Sequence, residues 1–547
     1  MAIRSSGKRN SSEKEIQESS SGRSDLRVPP DLHSAKPDGC HELVFGLIGP
    51  VGSDLKLVFK LLKQELQRVG YVVPREEIRL SKLIEEFSEI RHAGRSEDER
   101  IGKLMDAGTE IRDACGRGDA VSLLGILEIA RIRETEFARR CEKNAYIIHS
   151  LKRPEEVETL RAVYGQGFFA ISVFSPREAR VEALAARIGK SRPHSAGGAK
   201  ARAEELIERD ELEESKPLGQ KVGDTFPLAD LFLDTRNRAS LEANIRRFIE
   251  LLFGHPFHTP TRDEYGMFHA KASALRSSDM GRQVGATIST LEGDVISVGC
   301  NDVPKAGGGL YWPGDTHDGR DFQRGEDTSI EHRKQILAEL IGRLCQSSML
   351  SESYRNTSAN ELAQALLFGK DKLVLKGVQL LNLLEYGRSV HAEMAALMSA
   401  ARRGVSVKGT TLYVTTYPCH LCAKHIVAAG VSRVVYVEPY PKSKAKDFYS
   451  DSITTDPVRL TEGAVVFESF VGVAPRAYSS LFEMRNLDSR KSKSGDMVEW
   501  NAATSSPRFH RFMNTYILLE TKLIATEIKK MKALWADAQT KKQTQHN

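Results

Sequence analysis

The chain has 547 residues, 40% hydrophobic and 28% charged, which suits a soluble protein with room for two or three domains. No apolar run approaches a membrane span and the opening MAIRSSGKRNSSEKE carries no apolar signal segment, so the expectation is a cytoplasmic protein with no membrane partner. Seven cysteines, an odd number for so long a chain, argue against a disulfide framework, and the formal charge of +6 is matched in full by residues 485–547, where 12 Lys or Arg stand against 6 Asp or Glu.

Residues 1–38 are rich in Ser, Lys, Arg and Glu and read as disordered. The apolar run at 43–48 (LVFGLI) reads as a buried strand, 49–54 (GPVGSD) as a glycine loop, and 55–68 as an amphipathic helix closing near Gly70. Strand, glycine loop and helix in that order present backbone N–H groups to anions. Gly49, Gly52, Ser53, Asp54 and Lys56 are therefore candidates for holding the phosphates of ATP or a similar nucleotide. The motif is degenerate: counted from Gly49, the lysine and hydroxyl positions of a P-loop fall on Leu55 and Lys56, and Ser53 is misplaced as a magnesium ligand.

Further strands are expected at 145–149 (AYIIH), 167–174 (GFFAISVF) and 229–233, with helices starting near Pro154, after 175–180 (SPREAR) and over 241–253. Residues 204–214 form a charged, lid-like or linker stretch. The alternation predicts a doubly wound parallel sheet over 39–255. This part resembles the nucleoside and nucleotide kinase branch of the P-loop proteins, which implies that Arg177 and Arg180 approach phosphates; solvated charges on a helix face are the alternative. A kinase-like fold does not establish kinase activity. A nucleotide- or RNA-sensing module that regulates its neighbour fits the displaced lysine.

Residues 256–261 (PFHTPT) punctuate the chain and open a second domain, 256–480. Its most informative stretch is His391-Ala392-Glu393, followed by Pro418-Cys419-His420-Leu421-Cys422. His391, Cys419 and Cys422 suit a tetrahedral Zn2+ with one position left for water, as a catalytic zinc requires. Glu393, beside the metal but not on it, is placed to carry a proton from that water to a departing amine. Residues 391–402 (HAEMAALMSAAR) read as a helix with His391 and Glu393 at its first turn. Residues 411–415 read as a strand, and a second helix follows Pro418, where its dipole favours thiolate. A structural zinc knuckle is the competing reading, but it would want a fourth protein ligand where this motif supplies an acid. His317, His332 and Cys345 are the residues a second zinc would need, and their irregular spacing favours unrelated roles.

From Asp263 onward the chain resembles the deoxycytidylate deaminase family. The resemblance rests on Arg276-Ser277-Ser278-Asp279, Arg282-Gln283-Val284-Gly285-Ala286, the zinc motif itself and Cys422-Ala423-Lys424-His425. It implies a cytidine-deaminase-like α/β/α three-layer domain, Asn301 on the substrate sugar, and Tyr440 and Lys442 on the pyrimidine or phosphate. Turn chemistry for Asn301, surface packing for Tyr440 and solvation for Lys442 stand as alternatives. The kinase-like domain in front and the long insertion between Asn301 and His391 resemble the two-domain bacterial anti-phage deoxycytidine nucleotide deaminases. That implies hydrolysis of dCTP or dCMP to dUTP or dUMP, depletion of the dCTP pool during infection, restraint by a regulatory RNA or nucleotide, and a homo-oligomer. The insertion, with Gly307-Gly308-Gly309, is then a lid or an oligomer contact. The competing activity is polynucleotide editing, suggested by the basic segment 481–547, whose apolar residues at near-helical spacing favour a helix docked on the core.

Overall fold

The chain was analysed as a computed structural model that describes residues 42–90, 96–137, 143–191, 198–213, 216–325, 327–347, 349–355, 357–369, 371–372, 374–375, 378, 386–440, 443–455, 463–484, 489–509 and 515–546. The segment 1–38 and Lys442 lie outside the described residues.

Two parallel-rich sheets organise a mixed α/β chain. The first contains β1 (Leu43–Ile48), β2 (Ile78–Arg79), β3 (Ala145–Leu151), β4 (Phe168–Phe174) and β5 (Leu231–Asp234), all parallel in the order β2-β3-β1-β4-β5. β1 is buried along its whole length, as a strand covered on both faces must be, which is why LVFGLI does not alternate. The second sheet is built from β6 (Gly285–Ser289), β7 (Val295–Cys300), β8 (Thr411–Thr416), β9 (Arg433–Glu438), β10 (Ile453–Thr454) and β11 (Val465–Ser469) in the order β10-β11-β9-β8-β6-β7, with β6 antiparallel to both its neighbours. A last short strand, β12 (Gly472–Val473), leaves the second sheet and adds antiparallel to β5 at the edge of the first.

That crossing strand is part of a shared seam. Phe232 of β5 and Phe226 just before that strand pack with Met267, Tyr413, Val435 and Phe470, so the two sheets share one apolar cluster. At its edge Glu264, fully buried, accepts from the Arg247 guanidinium at 2.7 and 2.8 Å and from the Val473 backbone N–H at 2.8 Å. It also completes a capping box with Thr261 at the start of the helix Arg262–Ala274.

The segment after β12 wraps the first sheet. Phe509 packs on one face against Phe169, while Tyr516, Ile528 and Met531 join the core of the other face. Here Arg133 is buried between Glu42 and Glu520, with contacts of 2.7 and 2.6 Å, and the Tyr516 hydroxyl donates to Glu42 at 2.9 Å. The two carboxylates hold the guanidinium firmly in its charged form against the cost of burial. The basic helix Lys529–His546 thus follows a docked stretch, in line with the docking favoured above.

In the second sheet two close approaches set helix positions. A Cβ on Gly285 would lie 2.0 Å from the Ala270 carbonyl oxygen, and one on Gly299 2.4 Å from the carbonyl oxygen of Ala392 and from the Ala396 amide nitrogen. Gly285 therefore seats the helix Arg262–Ala274 on one face, and Gly299 seats the helix Ala392–Arg402 on the other. In the insertion, the helices Thr328–Gln346 and Ala359–Phe368 meet in a small cluster of their own through Leu337, Ile341 and Ala363.

Gly299→Ala is expected to destabilise the chain by about 1–3 kcal/mol in urea unfolding, because backbone and not a flexible side chain must move. Gly189→Ala, at a helical site where an added Cβ meets nothing within 4 Å, should instead be neutral or stabilise by about 0.5–1 kcal/mol. Arg133→Ala leaves two buried carboxylates without their cation and should cost about 3–5 kcal/mol by the same measurement.

Candidate metal centre

His391 is the N-cap of the helix Ala392–Arg402, and Cys419 is the N-cap of the helix His420–Ala428, which follows β8 directly. The two helix starts face each other. His391 Nδ1 lies 3.3 Å from Cys419 Sγ and 3.4 Å from Cys422 Sγ, and the donor atoms of all three residues fall within 4.8 Å of one another. The Cys422 backbone N–H donates to Cys419 Sγ at 3.4 Å, using an orphan donor of the first turn to orient the sulfur. Both sulfurs are buried, and so is Glu393 in the first turn of the facing helix.

Electrostatics follow from this packing. The Cys419 thiol is held down to about 4 by the Cys422 thiol, with His391 adding to the effect, while the same bond and burial push Cys422 up. His391 is raised to about 9 by its hydrogen bond to Cys419. Burial pushes the Glu393 carboxyl up to about 7. Two sulfurs and an imidazole nitrogen converging without a fourth protein donor among the described residues are a donor set that fits Zn2+ and leaves one coordination position open.

The surrounding candidates divide. Asn301 is buried beside the centre: Asp302, the next residue, pairs with Val390, which immediately precedes His391. Its amide is committed to backbone, accepting from Val284 N–H and donating to the Arg282 carbonyl, each at 2.7 Å. Tyr440 is half-buried and packs on the apolar cluster that contains both cysteines, and burial raises its phenol. Lys442 lies outside the described residues. His317, His332 and Cys345 do not gather among the described residues; His332 packs on Tyr386 instead, with ring centroids 5.2 Å apart. The other group of metal-type side chains, Glu250, His255 and His258, is internally paired, His258 with Glu250 at 2.6 Å and Glu250 with Arg68 at 2.8 Å.

The glycine-loop candidates belong to the first sheet. Gly49, Gly52, Ser53 and Asp54 follow β1; Gly52 has φ +95°, and a Cβ there would strike the Arg180 backbone. Asp54 caps the helix Leu55–Arg68 by accepting from Leu57 N–H at 3.0 Å. The Ser53 hydroxyl is buried without a partner among the described residues, and Lys56 and Arg177 are exposed. Arg180 is buried on the Ser175 carbonyl and on Glu211, at 3.1 and 2.7 Å. Sequence reasoning missed two partners of the loop, Lys152 and Asp210. The one signal for Lys152 was its place directly after a buried strand; Asp210 lay in the charged stretch 204–214, read as a lid or linker, where nothing singled it out.

Residues 260–438 match the family model described as the cytidine and deoxycytidylate deaminase zinc-binding region, which supports Zn2+ as the metal. The chain is 49% identical to the deoxycytidylate deaminase of enterobacteria phage T2 over 55 residues, 10% of this chain and 29% of that protein. Against human deoxycytidylate deaminase it is 25% identical over 232 residues, 42% of this chain and 89% of that protein. The structure of the dCMP deaminase from cyanophage S-TIM5 aligns with 39% of this chain and 100% of its own at 17% identity, with a TM-score of 0.21. The chain thus spans under a third of the length of the phage relative it matches at the higher identity, and it is similar, over its zinc region, to deaminases of cytidine and deoxycytidylate.

Proposed function

We propose that the chain hydrolyses the exocyclic amine of a free deoxycytidine nucleotide, dCTP or dCMP, releasing ammonia and dUTP or dUMP. The observation that carries this reading is the convergence of His391, Cys419 and Cys422 on one point with the buried acid Glu393 beside it. His391, Cys419 and Cys422 would hold the zinc. When bound, zinc supplies Lewis acidity that brings water into the reactive range near neutral pH. Glu393 does the proton work: it takes a proton from the attacking water and passes it on toward the ring and the departing amine, so one carboxylate serves both halves of the reaction. Its burial excludes competing water from that transfer. Tyr440, half-buried against the cysteine cluster, is our candidate for the pyrimidine and the buried Asn301 for the sugar; Lys442 is retained as a phosphate contact on the family resemblance alone.

The first sheet, with its glycine loop, is read as a nucleotide-binding regulatory module rather than a kinase, since no lysine follows the loop in the P-loop position. The setting we favour is defence of a bacterium against phage by depletion of the dCTP pool, on the strength of the two-domain resemblance. The insertion leaves Trp312, Phe322, Leu340 and Phe368 exposed, which supports a homo-oligomer.

Purified protein given dCTP, dCMP, cytidine and adenosine-containing RNA is expected to release ammonia from a deoxycytidine nucleotide and to leave the RNA unedited. Glu393→Ala should lower turnover by about 10²–10⁴-fold while zinc content stays at the wild-type level. Full activity in that variant contradicts the assigned mechanism, and base conversion inside oligonucleotides with no nucleotide turnover selects the editing alternative.

A further inference from the structure

The glycine loop of the first sheet is already in contact with an anion, and the anion belongs to the chain. Asp210 Oδ2 accepts from the Val51 backbone N–H at 2.7 Å and from Lys152 Nζ at 2.9 Å, and Lys152 also donates to the Gly49 carbonyl at 3.0 Å. The Asp210 side chain is fully buried, and its other oxygen has no partner among the described residues. A carboxylate that spends one oxygen on two donors and leaves the second bare is costly to bury. Its position is also unfavourable locally. Asp210 sits in the last turn of the helix Ala199–Glu211, at the end that carries the helix's partial negative charge. Something other than helix preference holds it there, and the donors it meets are those of an anion site: a loop N–H beside a glycine at φ +95° and a lysine amine.

The surroundings are cationic. Arg79 stands in register with His149 at the carboxyl ends of β2 and β3, and burial of its ring, then the charges of Arg79, Lys152 and Lys56, hold the partly buried His149 imidazole in its neutral form. These strand ends are where open parallel sheets bind ligands. The helix bearing Asp210 is clamped over the loop by Val51, which packs on the cluster containing Met105, Leu206 and Ile207, and by Arg180, which pairs with Glu211 at 2.7 Å.

We propose that this loop is a polyphosphate site held shut by Asp210, with Lys152 as its principal cation. The proposal rests on the reading of the first domain as a nucleotide-binding module and names its cation and its gate. A phosphate entering the loop must take the Val51 N–H and the Lys152 amine from Asp210. Two anions cannot share those donors at hydrogen-bond range, so Asp210 and the helix that carries it leave when phosphate arrives. Departure of that helix also breaks Arg180 from Glu211 and frees a second cation next to the loop. The wild-type chain then binds with an affinity reduced by the fraction of molecules in which the helix has lifted.

The test is isothermal titration of the full chain with inorganic tripolyphosphate and with ATP, comparing wild type, Asp210→Asn, Asp210→Ala and Asp210→Ala combined with Lys152→Ala. Both Asp210 variants should bind at least about 10-fold tighter than wild type, and removing Lys152 should abolish the gain. Asn keeps the size of the side chain and its acceptor for Val51, so it reports on charge if the Ala variant folds poorly. Equal affinity in wild type and the Asp210 variants overturns the gate but leaves the phosphate-site reading standing. No binding by any variant overturns both. A gain that survives Lys152→Ala overturns the assignment of the cation. None of these readouts needs turnover at the zinc centre, so they stand apart from the deaminase reading.

Discussion

A single buried carboxylate ties the two halves of this chain together. Glu264 starts the helix that covers one face of the second sheet, and it takes hydrogen bonds from an arginine on a helix of the first sheet and from the strand that crosses between the sheets. A buried acid of this kind is tolerated only when its lone pairs are filled, and Glu264 fills them with partners from three separate elements. The aromatic seam of Phe232, Phe470 and Tyr413 follows from the same alignment. Because the seam is packed, the relative placement of the glycine loop and the metal centre is set by side-chain contacts and not left to a linker. Lys446, next to the loop that carries Tyr440, reaches Glu178 at the start of the helix after β4.

The metal centre depends on geometry of a simpler kind. Two helices begin at the same edge of one sheet, and their first turns bring donors from distant positions to one point. Gly299 lets the first helix lie against β7 at backbone distance, and Pro418 with Cys419 starts the second as soon as β8 ends. Burial raises the Glu393 carboxyl and works against thiolate, which the hydrogen bonds from Cys422 and His391 favour at Cys419.

Much of this was legible in the sequence. The strand and helix beginning at residue 43 fell where the apolar runs placed them, as did the helix at 391–402 and the strand before Pro418, because hydrophobic period and caps decide such elements locally. The grouping of His391, Cys419 and Cys422 was legible for a similar reason: their spacing is a chemical signature that does not depend on the rest of the fold. What escaped depends on tertiary pairing. The short strand Gly472–Val473 carries no pattern of its own, so its return to the first sheet could not be foreseen. The stretch 204–214 read as a charged lid or linker, and not as part of the helix Ala199–Glu211, because the charges along that helix mask the buried apolar residues Ala203, Leu206 and Ile207. The backbone partners of the Asn301 amide, the Val284 N–H and the Arg282 carbonyl, likewise depend on tertiary placement and not on a local pattern.

The central claim is that His391, Cys419 and Cys422 hold one zinc and leave a place on it for the reacting water. Zinc K-edge X-ray absorption on the purified full chain measures this directly. The account predicts two sulfur neighbours at about 2.3 Å and two lighter neighbours at about 2.0–2.1 Å, one of them lost as imidazole scattering in His391→Ala. A zinc with four sulfur or imidazole neighbours from the protein, or a chain that carries no zinc, would contradict it.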